Sequence, residues 1–133
     1  MLANHAEVAN NLAYIHGGGI DTINLPSLPG PFVGAILLRF LLHRTEMSQP
    51  HKIEIRIQMA DGQEVAKFDA SIMPQFNAVL APGVGVFSPT YLALNILGLQ
   101  LSKEGSYSVE ILADGVHVQT LPFSVKLISQ QTR

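Results

Sequence analysis

A histidine followed by three glycines is the stretch of this sequence whose residue types most directly suggest chemistry. It stands in "YIHGGGID", Tyr14 to Asp21, and some lipases and esterases build an oxyanion hole from such a segment. Those enzymes place the nucleophilic serine on a G-x-S-x-G turn between a strand and a helix, and this chain contains no such motif. The glycines at 17–19 can take positive φ at no steric cost, and Asp21 can bond nearby backbone amides. The segment therefore indicates a backbone role, and the sequence predicts no catalytic residue.

Metal binding is the second chemistry to consider, because the chain has five histidines. None of them forms an H-x-x-x-H or H-E-x-x-H pair. His43 and His51 flank "RTEMSQP" and could face each other at the end of a hairpin, with Glu46 close by. That set would supply two or three ligands, whereas zinc takes about four including water. We expect solvated loop histidines, with no metal and no cofactor.

The carboxylates show no catalytic or calcium-binding grouping. The aspartates at 21, 61, 69 and 114 are scattered, while a calcium site needs several that converge. Glu54 and Glu110 lie on outward strand faces, and nothing in the sequence pairs them across a groove as glycoside cleavage requires. No phosphate-binding loop or dinucleotide fingerprint occurs. A non-enzymatic protein is the expectation.

The composition excludes several partners. Charged residues make up 14% of the 133 residues, against about 25% in typical soluble domains, which suggests that another subunit, a partner or a ligand covers some apolar surface. With a net charge of -2, there is no basic patch for nucleic acid and no polybasic run for a membrane. The chain has no cysteine, which excludes disulfides and cysteine nucleophiles. "MLANHAEVANNL" lacks signal-peptide features, so a cytoplasmic location is expected.

Alternating hydrophobicity predicts strands. In "KIEIRIQM" the isoleucines alternate with polar residues, which is typical of a strand with one buried face; Asp61-Gly62 then supplies a hairpin turn before "EVAKFDASI". The segment "GSYSVEILADGVHVQTLPFSV" repeats this design around Asp114-Gly115. Pro122 requires a bulge or an edge position there, and Tyr107 is expected to fill the core or to make a corner hydrogen bond.

These segments predict an all-β chain with a single domain, residues 1–133. "YLALNIL" from Tyr91 is a further strand, Asn10-Asn11 turns a first hairpin, and no long segment keeps a helical period with a cap and a stop. The turn spacing is typical of an antiparallel β-sandwich. We predict about seven to nine strands in an immunoglobulin-like or C2-like architecture.

Two regions do not alternate. "VGAILLRFLL" is apolar on both faces, so it is either a central strand covered on both sides or one face of an interface that includes Leu37, Arg39 and Leu41. The segment from Met73 to Thr90 is a long Pro/Gly-rich connection, either a packed crossover between sheets or a loop that grips a ligand.

The chain resembles an uncharacterised bacterial family of small β-sandwich domains of unknown function. The resemblance is carried by "LANHAEV", "NLAYIHGGGIDTINLPSLPGPF" and "GSYSVEILADGVHVQTLPFSV", which match a strand, a "GGGxD" segment with prolines after it, a Gly-x-Tyr strand and an Asp-Gly hairpin. Here His16 stands where the family tends to have an apolar residue. The resemblance implies a β-sandwich and supplies no catalytic residues.

Two functions fit these observations. The first is a non-enzymatic structural or protein-interaction domain that acts through self-association or a protein partner, with the interface at Leu37, Arg39 and Leu41. The alternative is a small-molecule or carbohydrate-binding module that uses the 73–91 loop, in which Phe76, Phe87 and Tyr91 could stack on a ligand.

Overall fold

The computed structural model describes residues 1–10, 12–46, 49–73 and 87–128. The strands are β1 (Leu2–Ala9), β2 (Leu12–Gly18), β3 (Thr22–Leu25), β4 (Gly30–His43), β5 (His51–Met59), β6 (Glu64–Ile72), β7 (Phe87–Leu101), β8 (Gly105–Ala113) and β9 (Val116–Leu127), with a short 3-10 turn at Arg44–Glu46. Within these ranges no helix is long and apolar enough to cross a membrane.

The strands form two sheets packed face to face. The four-stranded sheet has the order β2-β1-β4-β7, and the five-stranded sheet has the order β3-β9-β8-β5-β6. All neighbours are antiparallel except β3 and β9, which run parallel. The predicted all-β sandwich of seven to nine strands is confirmed.

The core lies between the sheets and follows the alternation read from the sequence. Ile53, Ile55 and Ile57 of β5 are fully or almost fully buried, as are Val109 and Ile111 of β8. Both roles expected for Tyr107 are confirmed: its ring stacks on Phe123 with centroids 5.3 Å apart, and its hydroxyl donates to the Lys103 carbonyl at 2.6 Å.

The predicted hairpin turns are confirmed by their backbone angles. Asn10, between β1 and β2, has φ 52°, while its predicted turn partner Asn11 lies outside the described residues. Gly62, between β5 and β6, has φ 91°. Asp114 and Gly115 have φ 50° and 82°, which is the pair of positive values that a two-residue type I′ turn requires.

The three glycines after His16 lie where the chain leaves one sheet for the other. Gly17 and Gly19 have φ 63° and 83°, and the amides of Gly19 and Ile20 both donate to the Leu2 carbonyl, at 2.9 and 3.0 Å. Beyond this point the chain enters β3 of the opposite sheet. The backbone role of the glycines is confirmed; Asp21 contributes its carbonyl, which accepts from the Ser124 amide at 2.9 Å.

The doubly apolar strand β4 is covered on both faces near its middle. Its large even-numbered side chains, including Ile36 and Leu38, belong to the core between the sheets. On the other face, Ala35 and Leu37 are buried together with Ala6 of β1, in a second cluster that Ala13 and Ala93 complete.

The β1–β2 hairpin accounts for that second cluster. β1 pairs with β4 at Leu2 and Ala3, and farther along β1 the Ala6 carbonyl accepts a hydrogen bond of 3.0 Å from the Asn95 side chain of β7. β1 therefore leaves its place beside β4 and crosses the face of β4 and β7 that points away from the core. We call this face the outer face.

Pro122 lies at one of the two positions that the sequence suggested, and the segment after Met73 connects the two sheets. β3 pairs with β9 only from Ser124 onward, so Pro122 lies at an edge position, and the bulge of this hairpin falls at Val118 instead. β6 and β7 belong to different sheets, so the connection between them is a crossover. Its residues 74–86 lie outside the described ranges, and residues 87–90 are part of β7.

The outer face offers a direct test of the hairpin's position. Leu37 is 7% exposed and Leu41 is 54% exposed, although both side chains are on this face. We expect Leu37→Ala to lower the free energy of unfolding by about 2–3 kcal/mol, because it opens a cavity in a buried cluster. The matched variant Leu41→Ala should change it by no more than about 0.5 kcal/mol. Urea unfolding of both variants gives the comparison, and equal losses would contradict the cover over Leu37.

Candidate functional site

The interface residues expected from the sequence separate into covered and open positions. Leu37, Arg39 and Leu41 all lie on the outer face, in register with Ala93, Tyr91 and Pro89 of β7. Arg39 and Leu41 are exposed, whereas Leu37 is buried under the hairpin. The expectation that all three share an open surface is therefore wrong for Leu37, because β1 crosses the strand at that point.

The aromatic residues proposed for ligand binding are placed only in part. Tyr91 lies in β7, half-buried, as the cross-strand partner of Arg39. Phe87 begins β7, and its side chain is outside the described part; Phe76 lies outside it altogether. The structure thus brings one aromatic residue of that set beside the basic residue of the predicted interface.

A second open part of the outer face is more apolar. Val33 and Leu97 are cross-strand partners, 58% and 88% exposed. Full burial of a leucine side chain contributes about 1.5–3 kcal/mol of free energy, which the side chain does not gain while it remains in water. We call these two residues the Val33–Leu97 patch, and their exposure indicates a surface that another molecule can cover.

Charge is distributed unequally between the two sheets. The strands of the four-stranded sheet contain Glu7 and Arg39 as their charged residues, and β7 contains none. The strands of the five-stranded sheet contain eight: Lys52, Glu54, Arg56, Glu64, Lys67, Asp69, Glu110 and Lys126. The low charge noted in the composition is therefore concentrated on one side of the sandwich.

β7 is also an edge strand. No described strand pairs with the side of β7 opposite β4. The other sheet protects its edges in the usual ways, since β3 has four residues and β6 carries Glu64, Lys67 and Asp69. β7 has 15 residues without a charge, although a bulge at Gly98 interrupts its pairing with β4.

A cleft of about 470 Å³ opens between the sheets beside β4. Its lining includes every residue of β4 from Leu37 to Leu42, together with Ile111, Val118 and Leu121 of the opposite sheet. Successive side chains of a strand point to opposite faces, so a run of consecutive lining residues means that the backbone edge of β4 faces the cleft. Such a cleft combines an apolar interior with backbone hydrogen-bonding groups.

The outer face of the five-stranded sheet carries paired charges. Glu54 accepts from Lys67 Nζ at 2.7 Å and from Arg56 at 3.0 Å. The hydrogen bond from Lys67, together with the positive charge of Arg56, lowers the pKa of Glu54, and Glu54 raises the pKa of Lys67. These three charged groups pair with one another, while Arg56 Nε is buried without a hydrogen-bond partner among the described residues.

Glu110, His117 and Thr120 form a cluster that sequence reasoning missed. Glu110 Oε2 lies 2.6 Å from His117 Nε2 and accepts from the Thr120 hydroxyl at 2.5 Å, and Ser108 donates to Oε1 at 2.9 Å. The hydrogen bond from Thr120, followed by those from His117 and Ser108, lowers the pKa of Glu110. The two-residue turn at 114–115 alone would place Gln119 opposite Glu110, but the bulge at Val118 shifts Thr120 into that position.

This cluster does not have the geometry of a catalytic triad. The Thr120 hydroxyl lies 3.0 Å from His117 Nε2, the same nitrogen that contacts Glu110. In a triad the carboxylate and the hydroxyl contact different ring nitrogens. The carboxylate orients the imidazole, and the hydroxyl gives its proton to the other nitrogen. The arrangement fits a hydrogen-bonded network that holds the two strands in register.

His51 corrects the expectation of solvated loop histidines. It is 9% exposed; its Nδ1 lies 2.7 Å from Asp114 Oδ2 and its Nε2 lies 2.6 Å from the Glu46 carbonyl. A carbonyl and a carboxylate both accept, so both ring nitrogens donate when His51 is protonated, and the two contacts favour the imidazolium form. His43 Nδ1 lies 2.8 Å from the Thr45 hydroxyl, and the His43 amide donates to Glu46 Oε1 at 3.1 Å.

The His51–Asp114 pair connects two segments that border the cleft. Glu46 lines the cleft directly, and Asp114 begins the turn of the hairpin whose strands contribute Ile111, Val118 and Leu121. Asp114 also accepts from the Lys52 amide at 2.9 Å. The hydrogen bond to Asp114 raises the pKa of His51, and the bond from His51 lowers the pKa of Asp114.

These opposite shifts predict a pH window for the contribution of the pair. The raised pKa of His51 stabilises the fold fully below its unfolded value of 6.5, and this contribution is lost as the pH rises through the folded pKa. The lowered pKa of Asp114 stabilises the fold above 3.8, and this contribution is lost as the pH falls through the folded pKa. The pair therefore contributes most between about pH 3.8 and 6.5.

We expect Asp114→Asn to destabilise the chain most within that window. Asparagine tolerates the positive φ of the turn, so the variant removes the charge and retains the backbone. The free energy of unfolding in urea is measured for the wild type and the variant at pH 5.5 and pH 9, about one unit below and well above the ordinary histidine pKa. The loss of free energy in the variant should be smaller at pH 9. A difference that does not change with pH would contradict the imidazolium state of His51.

Comparison with known proteins places the chain in a family without giving it an activity. The model of a family of unknown function (DUF6941) matches residues 1–126. No curated protein matches. A crystal structure of a glycosyl hydrolase family 2 member from Bacteroides cellulosilyticus DSM 14838 is similar over 74% of this chain and 14% of that protein's chain, with a TM-score of 0.36 and 17% identity. This chain thus spans a small part of that protein's length.

Proposed function

We propose that this chain, which belongs to DUF6941, a family of unknown function, is a non-enzymatic interaction domain. In this proposal it self-associates through the outer face of β4 and β7, with the Val33–Leu97 patch at the centre of the contact and Arg39 and Leu41 at its margin. The setting that we propose is the cytoplasm of a bacterium, with the bacterial origin taken from the family resemblance.

The observation that carries the proposal is the exposure of Leu97. Its side chain is 88% exposed beside the half-exposed Val33, on a strand without any charged residue. Covering two such side chains on each of two copies removes enough apolar surface from water to contribute several kcal/mol, since each is worth about 1.5–3 kcal/mol.

A second copy is the partner that fits this surface best. Two copies related by a two-fold axis present the same patch to each other, and β7 brings no charge that would oppose its own copy.

Charge at the patch should therefore separate the copies without unfolding them. Leu97→Glu places a carboxylate in the contact of both copies, and we expect the dissociation constant of the dimer to rise by at least about tenfold, because the apolar burial of one leucine exceeds the 1.4 kcal/mol that a tenfold change requires. Light scattering coupled to size exclusion measures the mass across a dilution series. Circular dichroism checks the fold.

Val33→Glu and Val116→Glu provide a matched pair for the same experiment. Val33 is 58% exposed and lies in the patch, whereas Val116 is 64% exposed and lies on β9 of the other sheet. Only the change at Val33 should alter the mass. A wild-type chain that is monomeric at all concentrations, or equal effects at both valines, would exclude this contact.

The second candidate function is a small-molecule or carbohydrate-binding module. The observation that favours it is the position of Tyr91 beside Arg39 on the outer face, where an aromatic ring and a cation could together hold a sugar or an anionic metabolite. A thermal-shift screen with glycans and metabolites, run on the wild type and on Tyr91→Ala, tests it. Stabilisation that the variant retains, or none across the panel, would exclude this site.

A further inference from the structure

The side of β4 that borders the cleft is an open strand edge in the described part of the chain. Met1 and Leu37 exchange both backbone hydrogen bonds, at 2.8 and 2.9 Å, which is the hydrogen-bonded pair of an antiparallel ladder. No described residue continues that ladder along β4 beyond Leu37.

The backbone direction identifies the groups that remain open. Alternate residues of a strand turn their N–H and C=O groups to the same side, so Arg39 and Leu41 present theirs to the same side as Leu37. β7 pairs with the opposite side of β4. Two amides and two carbonyls therefore face the cleft without a described backbone partner, in line with a ladder that has already begun.

The side chains around this edge differ between its two faces. Toward the core, an added strand would lie beside Leu38, Phe40 and Leu42 of β4 and across from Leu121 of β9. Toward the solvent it would lie beside Arg39, which is exposed and has no ion-pair partner among the described residues. Residues that pair directly across a ladder share a face.

We propose that this edge is a binding site for an extended segment of a partner protein, which adds to β4 as an antiparallel strand. The segment places apolar side chains at alternate positions into the cleft and an acidic side chain opposite Arg39. Backbone bonds to Arg39 and Leu41 give the affinity, and the apolar alternation with the acidic position gives the specificity. The site does not include the Val33–Leu97 patch, which presents side chains rather than backbone, but it shares Arg39 and Leu41 with the margin of the proposed dimer contact.

A covalently attached strand tests this site in the whole chain. Because β1 is antiparallel to β4, residues added before Met1 continue along the open edge in known register. In the extension Ile-Thr-Val-Glu-Val, the isoleucine and both valines would face the cleft and the glutamate would face Arg39. The permuted extension Thr-Ile-Glu-Val-Val has the same composition but places the glutamate in the cleft, which a strand with one buried face does not tolerate.

Hydrogen exchange of individual amides reads the result. We expect the amides of Arg39 and Leu41 to exchange rapidly in the chain alone and at least about tenfold more slowly with the in-phase extension, since a ladder bond must open before exchange. The permuted extension should leave them unprotected. Equal exchange with both extensions would overturn the proposal, and so would amides already protected in the chain alone.

A charge exchange tests the acidic position. Arg39→Glu combined with the glutamate extension opposes two like charges, and protection should fall; replacing the glutamate of the extension with lysine should restore it. If the protection of the amides from exchange does not depend on the sign of either charge, Arg39 does not select an acidic residue in the added strand. Self-association through the Val33–Leu97 patch does not affect these outcomes if each extension is also examined in the Leu97→Glu variant.

Discussion

The ladder between β1 and β4 is short, and the surfaces available to partners depend on where it stops. β1 pairs with β4 as far as Ala3 and then crosses the outer face, where Ala6 meets Ala35 and Leu37. One hairpin cannot both continue beside β4 and cover its face. By crossing the face, the hairpin gives the fold a second buried apolar cluster. The edge at Arg39 and Leu41 lies beyond the other end of the ladder, past the Met1–Leu37 pair, where no described residue pairs with it. Water can hydrate those backbone groups at little cost, whereas an uncovered apolar face would lose the free energy of burial.

The two sheets solve the problem of facing water differently. The five-stranded sheet pairs its outward charges with one another, as Glu54 does with Lys67 and Arg56, and it ends in the short strand β3 and the charged strand β6. The four-stranded sheet has almost no charge to pair, and its outer face is covered by its own hairpin only in the middle. This division explains how a chain with 14% charged residues can have one ordinary solvated face: the charges that are present are gathered there, and the opposite side is left apolar.

The sequence predicted the elements whose information is local. Alternation identified β5, β6 and β8, and the positive φ of Asn10, Gly62 and Asp114 followed from turn chemistry. What it could not supply were single-residue events. The bulge at Val118 places Thr120 rather than Gln119 opposite Glu110, and the crossing of β1 buries Leu37 while Leu41 stays open. His51 likewise met Asp114 across 63 residues, a distance over which periodicity carries no signal.

The apolar sequence of β4 was open to two interpretations, a central strand or one face of an interface, and neither is sufficient alone. A partner can recognise a strand through the side chains on its faces or through the backbone along its edge. In β4 these two surfaces are open at different positions. Near Val33 a side-chain face is open, and near Arg39 and Leu41 the backbone edge that borders the cleft is open as well. Side-chain periodicity describes only the faces of a strand. Whether its backbone edge is open depends on whether a neighbouring strand pairs there. A central strand and an interface are therefore compatible descriptions of one segment, each true over part of its length.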